Sequence, residues 1–159
     1  MKSSIQVEEV IKAQALWSKN LIAIGQAKVQ GGDYRQKAQD MLEALYGYHL
    51  DDAVVLFKPT RAVKVPFRPT FKGALSYFIG ENSDFPEDKG FALEPWVDVV
   101  FDNHGFYFYE DMCIAMGEYT FTNLAQDKAK VEYTFGYIKD ANGLLKIVVH
   151  HSSFPASGH

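Results

Sequence analysis

The chain has 159 residues, enough for one domain that buries most of its apolar surface, and its 12 Phe and 9 Tyr mark an aromatic-rich core rather than a disordered chain. A net charge of −4 and a pI near 5.7, with Lys and Arg scattered, exclude nucleic acid and anionic membrane as partners, because both require a basic surface. The single cysteine, Cys113, excludes an intrachain disulfide and sits in an apolar run, where a buried structural thiol is expected. No stretch approaches the ~20 apolar residues of a membrane span. The N-terminus passes into an amphipathic pattern without an apolar signal core, so a cytoplasmic protein is expected.

Residues 4–29 read as a helix, with Val10, Trp17, Leu21 and Ile24 at helical spacing, Ser3 and Gln6 as a capping box, and Gly31-Gly32 as the stop. Asp33 with Gln36 opens a second helix, on which Tyr34, Ala38, Met41, Leu42 and Leu45 form one stripe, closed near Gly47. Ala53-Val54-Val55-Leu56-Phe57 is a continuous apolar run, read as a strand buried on both faces. Pro59, Pro66 and Pro69 punctuate the next segment. Residues 70–79 then read as a short helix closed by Gly80.

From Trp96 onward the pattern gives strands at 96–102, 106–109, 112–122, 129–139 and 144–153, with turns at Asn103-His104-Gly105 and Asp140-Ala141-Asn142-Gly143. Alternation places Val131, Tyr133, Phe135 and Tyr137 on one face. Glu110-Asp111 reads as a solvated hairpin tip. No internal repeat or linker interrupts the chain, so residues 1–159 form a single domain.

The C-terminal strand carries the unusual chemistry. After Ile147-Val148-Val149 come His150-His151-Ser152-Ser153, two imidazoles and two hydroxyls that need hydrogen-bond partners at the end of a core strand. Strict alternation puts Val148, His150 and Ser152 on one face and Val149, His151 and Ser153 on the other. Lys146 shares the even face, which points that face toward solvent, although a bulge can switch a strand's environment. The residues alone leave open which His-x-Ser pair lines a pocket. Adjacent histidines face opposite ways and cannot chelate one ion together, and His49, His104 and His159 supply no metal-ligand spacing.

Two helices, a strand, a short helix and a run of antiparallel strands resemble the nuclear-transport-factor-2-like (NTF2-like, SnoaL-like) superfamily. That likeness implies an α+β, cone-shaped fold with a curved, mostly antiparallel sheet wrapped around N-terminal helices. More specifically, His150-His151-Ser152-Ser153-Phe154-Pro155 resembles the His-His-Ser-Ser-Leu-Pro signature of iota-class carbonic anhydrases, departing only in Phe154 for Leu. Leu56-Phe57-Lys58-Pro59-Thr60 and Ala74-Leu75-Ser76-Tyr77-Phe78 resemble segments of the same family, so the likeness spans residues from about 50 to 155.

The resemblance implies reversible hydration of carbon dioxide to bicarbonate and a proton, without a metal cofactor; manganese or zinc is the alternative. It implies Thr60, Tyr77, His150 and Ser152 as the catalytic set, with Thr60, Tyr77 and Ser152 also binding substrate. His151, Ser153 and Lys58 would support them from behind. The association domain of calmodulin-dependent kinases ends in a related His-x-His-Arg-Ser-Gly, whose pocket Arg aligns with Ser152 and favours the even face. Without a metal the attacking water needs a proton acceptor, and the ordinary imidazole pKa of about 6.5 makes His150 the expected base. Two other classes compete. A SnoaL-like isomerase or cyclase would want a carboxylate base, for which only Glu118 and Glu132 are near, and a non-catalytic association module needs no chemistry. A homodimer that covers the outer face of the sheet is expected.

Overall fold

A computed structural model describes residues 3–51 and 54–157. Helix α1 (Val7–Val29) and helix α2 (Tyr34–Leu45) precede a short strand β1 (Leu56–Lys58) and helix α3 (Phe71–Ile79). Four long strands follow: β2 (Trp96–Tyr109), β3 (Met112–Asn123), β4 (Lys128–Lys139) and β5 (Leu145–Ser153). They form one sheet in the order β1-β5-β4-β3-β2, antiparallel except where β1 runs parallel to β5. The α+β class and the cone of sheet around helices are as expected. No helix among the described residues is long and apolar enough to cross a membrane.

The helices form where apolar spacing and caps coincide. Val10, Trp17, Leu21 and Ile24 of α1 are buried, as are Ala38, Met41, Leu42 and Leu45 of α2. The Asp33 carboxylate accepts from the Gln36 N–H at 3.1 Å, the cap its sequence indicated. At α1 the cap lies further on than Ser3: Gln6 is the N-cap, and its N–H donates to the Glu9 carboxylate at 3.0 Å.

Two strand expectations are corrected. The apolar run at residues 53–57 is not a doubly buried strand. Ala53 lies outside the described residues, Val54 and Leu56 are exposed, and only Val55 and Phe57 turn inward. The reason is the layering: the helices cover one face of the sheet, and little covers the outer side of β1. Nor is Asn103-His104-Gly105 a turn. One strand, β2, runs through it with a bulge against β3 between Asn103 and Gly105. Gly117 faces that bulge, where a Cβ would collide with the Asp102 carbonyl and come within 2.8 Å of the His104 nitrogen. The bulge turns Asn103 toward α1. There its amide exchanges hydrogen bonds with Gln14, both at 2.9 Å, and its oxygen also accepts from the Tyr133 hydroxyl.

A second bulge decides the chemistry. Tyr137 pairs with Ile147, but Gly136 pairs with Val149, which leaves Val148 as the extra residue of β5. Ile147 therefore shares the inner face with His150 and Ser152, while Lys146 pairs with Ile138 on the other face. Val148 does not share the face of His150, and Lys146, whose ammonium donates to the Glu43 and Ala44 carbonyls at 3.2 and 2.7 Å, says nothing about where His150 points.

The loops around α3 are fixed by a buried ion pair. Arg68, fully buried, donates two parallel bonds to Asp88 at 2.7 and 2.8 Å, and further bonds to the carbonyls of Gly73 at 2.8 Å and Val65 at 2.9 Å. The Ser76 hydroxyl adds a bond to Asp88 at 2.6 Å. This clip ties residues 59–70 and 81–90 to α3, and so sets where Thr60 and Tyr77 stand. Asp88→Ala would leave the buried Arg68 charge with only the longer Glu87 contact at 3.9 Å, with an expected loss of about 3 kcal/mol, read as a lower urea midpoint at unchanged slope. A loss within the range of about 0–1 kcal/mol that surface ion pairs show would mean the clip does not hold these loops.

Candidate active site

His150 is packed by aromatic rings on every side. Phe57 of β1 stacks on it with centroids 4.6 Å apart, Phe135 of β4 meets it edge-on at 4.3 Å, and Trp17 of α1 lies 5.9 Å away. The imidazole is 2 % exposed and Ser152 0 %. Burial pushes the His150 pKa well below its ordinary value, and neighbouring His151 adds to the shift. The ring is neutral at ordinary pH.

Both ring nitrogens are paired. Nδ1 lies 2.7 Å from the Tyr46 hydroxyl, which also accepts from the Trp17 indole N–H at 3.0 Å. Nε2 lies 2.9 Å from Ser152 Oγ and 3.0 Å from the Tyr119 hydroxyl, and those two hydroxyls are hydrogen-bonded to each other. Each partner is placed by a different element. Tyr46 follows the end of α2 in extended conformation, and this end is zipped to β5 by a bridge to Ile147 and a bond from the Gly47 N–H to the Ile147 carbonyl at 2.9 Å. Tyr119 belongs to β3, Trp17 to α1, and Ser152 to the same strand as His150.

Tyr77 of α3 and Thr60 of the loop after β1 stand beside this cluster. The Tyr77 hydroxyl accepts from the Arg61 N–H at 3.1 Å, and its ring stacks on Phe91 with centroids 5.5 Å apart. Thr60 is close to the phenols of both Tyr77 and Tyr119, and its hydrogen bonds work against the rise in their pKa. Burial dominates, however, and raises the pKa of Tyr46, Tyr77 and Tyr119 far above the ordinary phenol value. All three stay protonated and can donate.

A cleft of about 550 Å³ opens on the far side of Tyr77, lined by Arg61, Glu87, Phe91, Leu93 and Glu94 among others. Tyr77 thus stands between this mouth and the His150 cluster. The structure brings Thr60, Tyr77, His150 and Ser152 onto one inner region.

The three supporting residues separate. Lys58 donates from Nζ to the Ser152 carbonyl at 3.0 Å and so braces the strand end from the edge. His151 and Ser153 face the other side of the sheet, where they line an open groove with His104, Glu118 and Glu132. The carboxylates of Glu118 and Glu132, the only acids weighed for an isomerase, are therefore outside the inner site. Glu118 pairs instead with Lys130 at 3.2 Å. Among the described residues no group of three or more His, Cys, Asp and Glu is arranged to hold a metal ion.

Sequence reasoning missed Tyr46, Tyr119 and Trp17 as members of the site. Their only signal was chemical: buried Tyr and Trp carry a polar tip that needs a partner. Nothing in their spacing points that tip at His150.

The family model "Metal-independent carbonic anhydrase" matches residues 8–154. A metal-independent carbonic anhydrase from Nostoc sp. is 37% identical over 155 residues, covering 96% of this chain and 75% of the relative. The crystal structure of a cyanobacterial iota-carbonic anhydrase complexed with bicarbonate superposes with a TM-score of 0.94 at 35% identity, covering 99% of this chain and 98% of that one. A calcium/calmodulin-dependent protein kinase II association domain from Xanthomonas campestris shares the fold, with a TM-score of 0.65 at 21% identity, covering 99% of this chain and 95% of that one. The chain belongs to the metal-independent carbonic anhydrase family, within the NTF2-like fold.

Proposed function

We propose that Thr60, Tyr77, His150 and Ser152 carry the reversible hydration of carbon dioxide to bicarbonate that the family's activity implies. The observation that supports this most is the pairing of a buried, neutral imidazole with a set of protonated hydroxyls behind an aromatic wall. Carbon dioxide is apolar and is held well by the rings of Phe57, Phe91 and Tyr77. When water attacks its carbon, negative charge develops on its oxygens, and fixed hydroxyl donors from Thr60, Tyr77 and Ser152 are suited to meet it. Each is buried, where such bonds are stronger than in water and need little reorganisation. Bicarbonate, seen in the cyanobacterial relative, would occupy the same donors in the reverse direction.

We also propose a homodimer. The outer face of the sheet exposes Tyr107, Tyr109, Met112, Ile114 and Met116 across β2 and β3, an apolar strip suited to a second copy. A cytosolic location is proposed as well, supported by a single unpaired cysteine, the usage of a reducing compartment.

In a stopped-flow pH-indicator assay, carbon dioxide hydration should survive exhaustive chelation. Tyr77→Phe or Thr60→Val should lower kcat by about 10²–10³, the usual effect of one oxyanion donor, with unchanged near-UV circular dichroism. Activity that vanishes with EDTA and returns with manganese or zinc would sink the metal-free reading.

Stability should depend on pH through His150. The unfolded imidazole takes up a proton near its ordinary pKa of about 6.5, whereas the folded one does so only at lower pH. Its contribution is therefore complete above about pH 6.5 and is lost as pH falls below it, by up to about 1.4 kcal/mol per pH unit. Denaturant titrations across this range should show that slope, and His150→Gln should flatten it. Sedimentation equilibrium should give twice the 17.9 kDa chain mass, falling to one chain in Met116→Glu.

A further inference from the structure

We infer that Tyr46, oriented by Trp17, locks His150 in the tautomer that carries its proton on Nε2, which makes the imidazole a donor to Ser152 and Tyr119 rather than the base that takes water's proton. The inference rests on reading the His150 cluster as the hydration site, and it assigns Tyr46 and Trp17 as positioning residues.

The direction of the bonds follows from one residue that has no choice. An indole N–H can only donate, so the 3.0 Å contact between Trp17 Nε1 and the Tyr46 hydroxyl uses a lone pair of the phenol oxygen. Tyr46 keeps one proton, is 1 % exposed, and has one other hydrogen-bond partner, His150 Nδ1 at 2.7 Å. If Nδ1 carried the ring proton, it would donate to Tyr46 and leave the phenol proton buried without an acceptor. If Tyr46 donates to Nδ1, all three groups are satisfied. Nδ1 is then the lone pair, and the neutral ring holds its single proton on Nε2.

Counting protons on the other side gives the consequence. Nε2, Ser152 Oγ and the Tyr119 hydroxyl form a triangle of mutual hydrogen-bond contacts. They hold three protons, but a protonated Nε2 has no lone pair to accept with. At most two of the three protons can be used within the triangle. One hydroxyl proton, on Tyr119 or Ser152, must point out of it, and the Tyr119 hydroxyl lies beside Thr60. The cluster is thereby fixed as a net donor toward an acceptor beside Thr60. An oxygen gaining negative charge is the acceptor this suits.

The water's proton then has no imidazole lone pair to enter. The balanced route is a relay through one pocket hydroxyl. The water oxygen bonds to carbon, one C=O electron pair moves onto its own oxygen, and the hydroxyl protonates that oxygen while taking a proton from the water. The sum is CO2 + H2O → H2CO3, whose proton then passes to solvent and leaves bicarbonate on the pocket donors.

The test is a long-range 1H–15N correlation spectrum of wild-type protein labelled with 15N-histidine, assigned by its loss in His150→Gln. The expected result is a His150 ring protonated on Nε2 and bare on Nδ1. In Tyr46→Phe the other ring state should appear, and kcat for carbon dioxide hydration should fall about tenfold or more. A wild-type ring protonated on Nδ1 overturns the inference, as does Tyr46→Phe that keeps both the tautomer and the rate. If Tyr46→Phe fails to fold, the wild-type spectrum decides alone. An Nε2-protonated ring in a protein without hydration activity would support the lock and overturn the site reading, so the two fail separately.

Discussion

An imidazole buried this completely must have both nitrogens paired, and that requirement organises the inner half of the molecule. Left without partners, each ring nitrogen would cost about 1–3 kcal/mol, a large share of a domain's total stability. The partners come from four separate elements: the end of α2, strand β3, strand β5 itself, and α1 behind Tyr46. A polar network that draws on so many elements is satisfied only when all of them are in place. The fold and the site are thus two descriptions of one set of bonds.

The frame around that network has the same character. Two bulges, one at Val148 and one between Asn103 and Gly105, rotate strand segments so that polar groups face helices instead of solvent. The Arg68–Asp88 clip performs the corresponding task for the loops, fixing residues that ordinary loop packing would leave variable. Lys58 holds the last inner carbonyl of β5 from the edge strand. Each device sets a position that hydrophobic packing alone leaves free to within an ångström or two. Catalysis by fixed donors is sensitive to errors of that size.

A metal-free hydration site has to replace the charge of a metal ion with dipoles, and dipoles act only over short distances and in definite directions. Phenols and serine hydroxyls can turn their protons, so a ring of them has no intrinsic polarity. A donor-only indole at one end gives it one. Trp17, an unremarkable core residue by position, is chemically suited to that place because its N–H cannot be reversed. The neutral state of every member, enforced by burial, keeps the chain of donors intact across the ordinary pH range.

The sequence by itself determined the class, the helices with the Asp33 cap, and the regions of the last three strands. These depend on local spacing and short-range hydrogen bonds, which a linear pattern records. Alternation along the last strand failed at Lys146 because an extra residue, Val148, breaks the period, and bulges are set by the pairing of two strands. The turn expected at Asn103 failed for the same reason: its turn-forming residues are used in a bulge against Gly117. The run ending in Phe57 was assigned two buried faces, since hydrophobicity does not say whether a sheet is covered on one face or on both. Only the tertiary structure could bring Trp17, Tyr46 and Tyr119 to His150, across separations of 133, 104 and 31 residues. Which hydroxyl a buried imidazole meets is a property of packing between elements, and no periodicity within one element carries it.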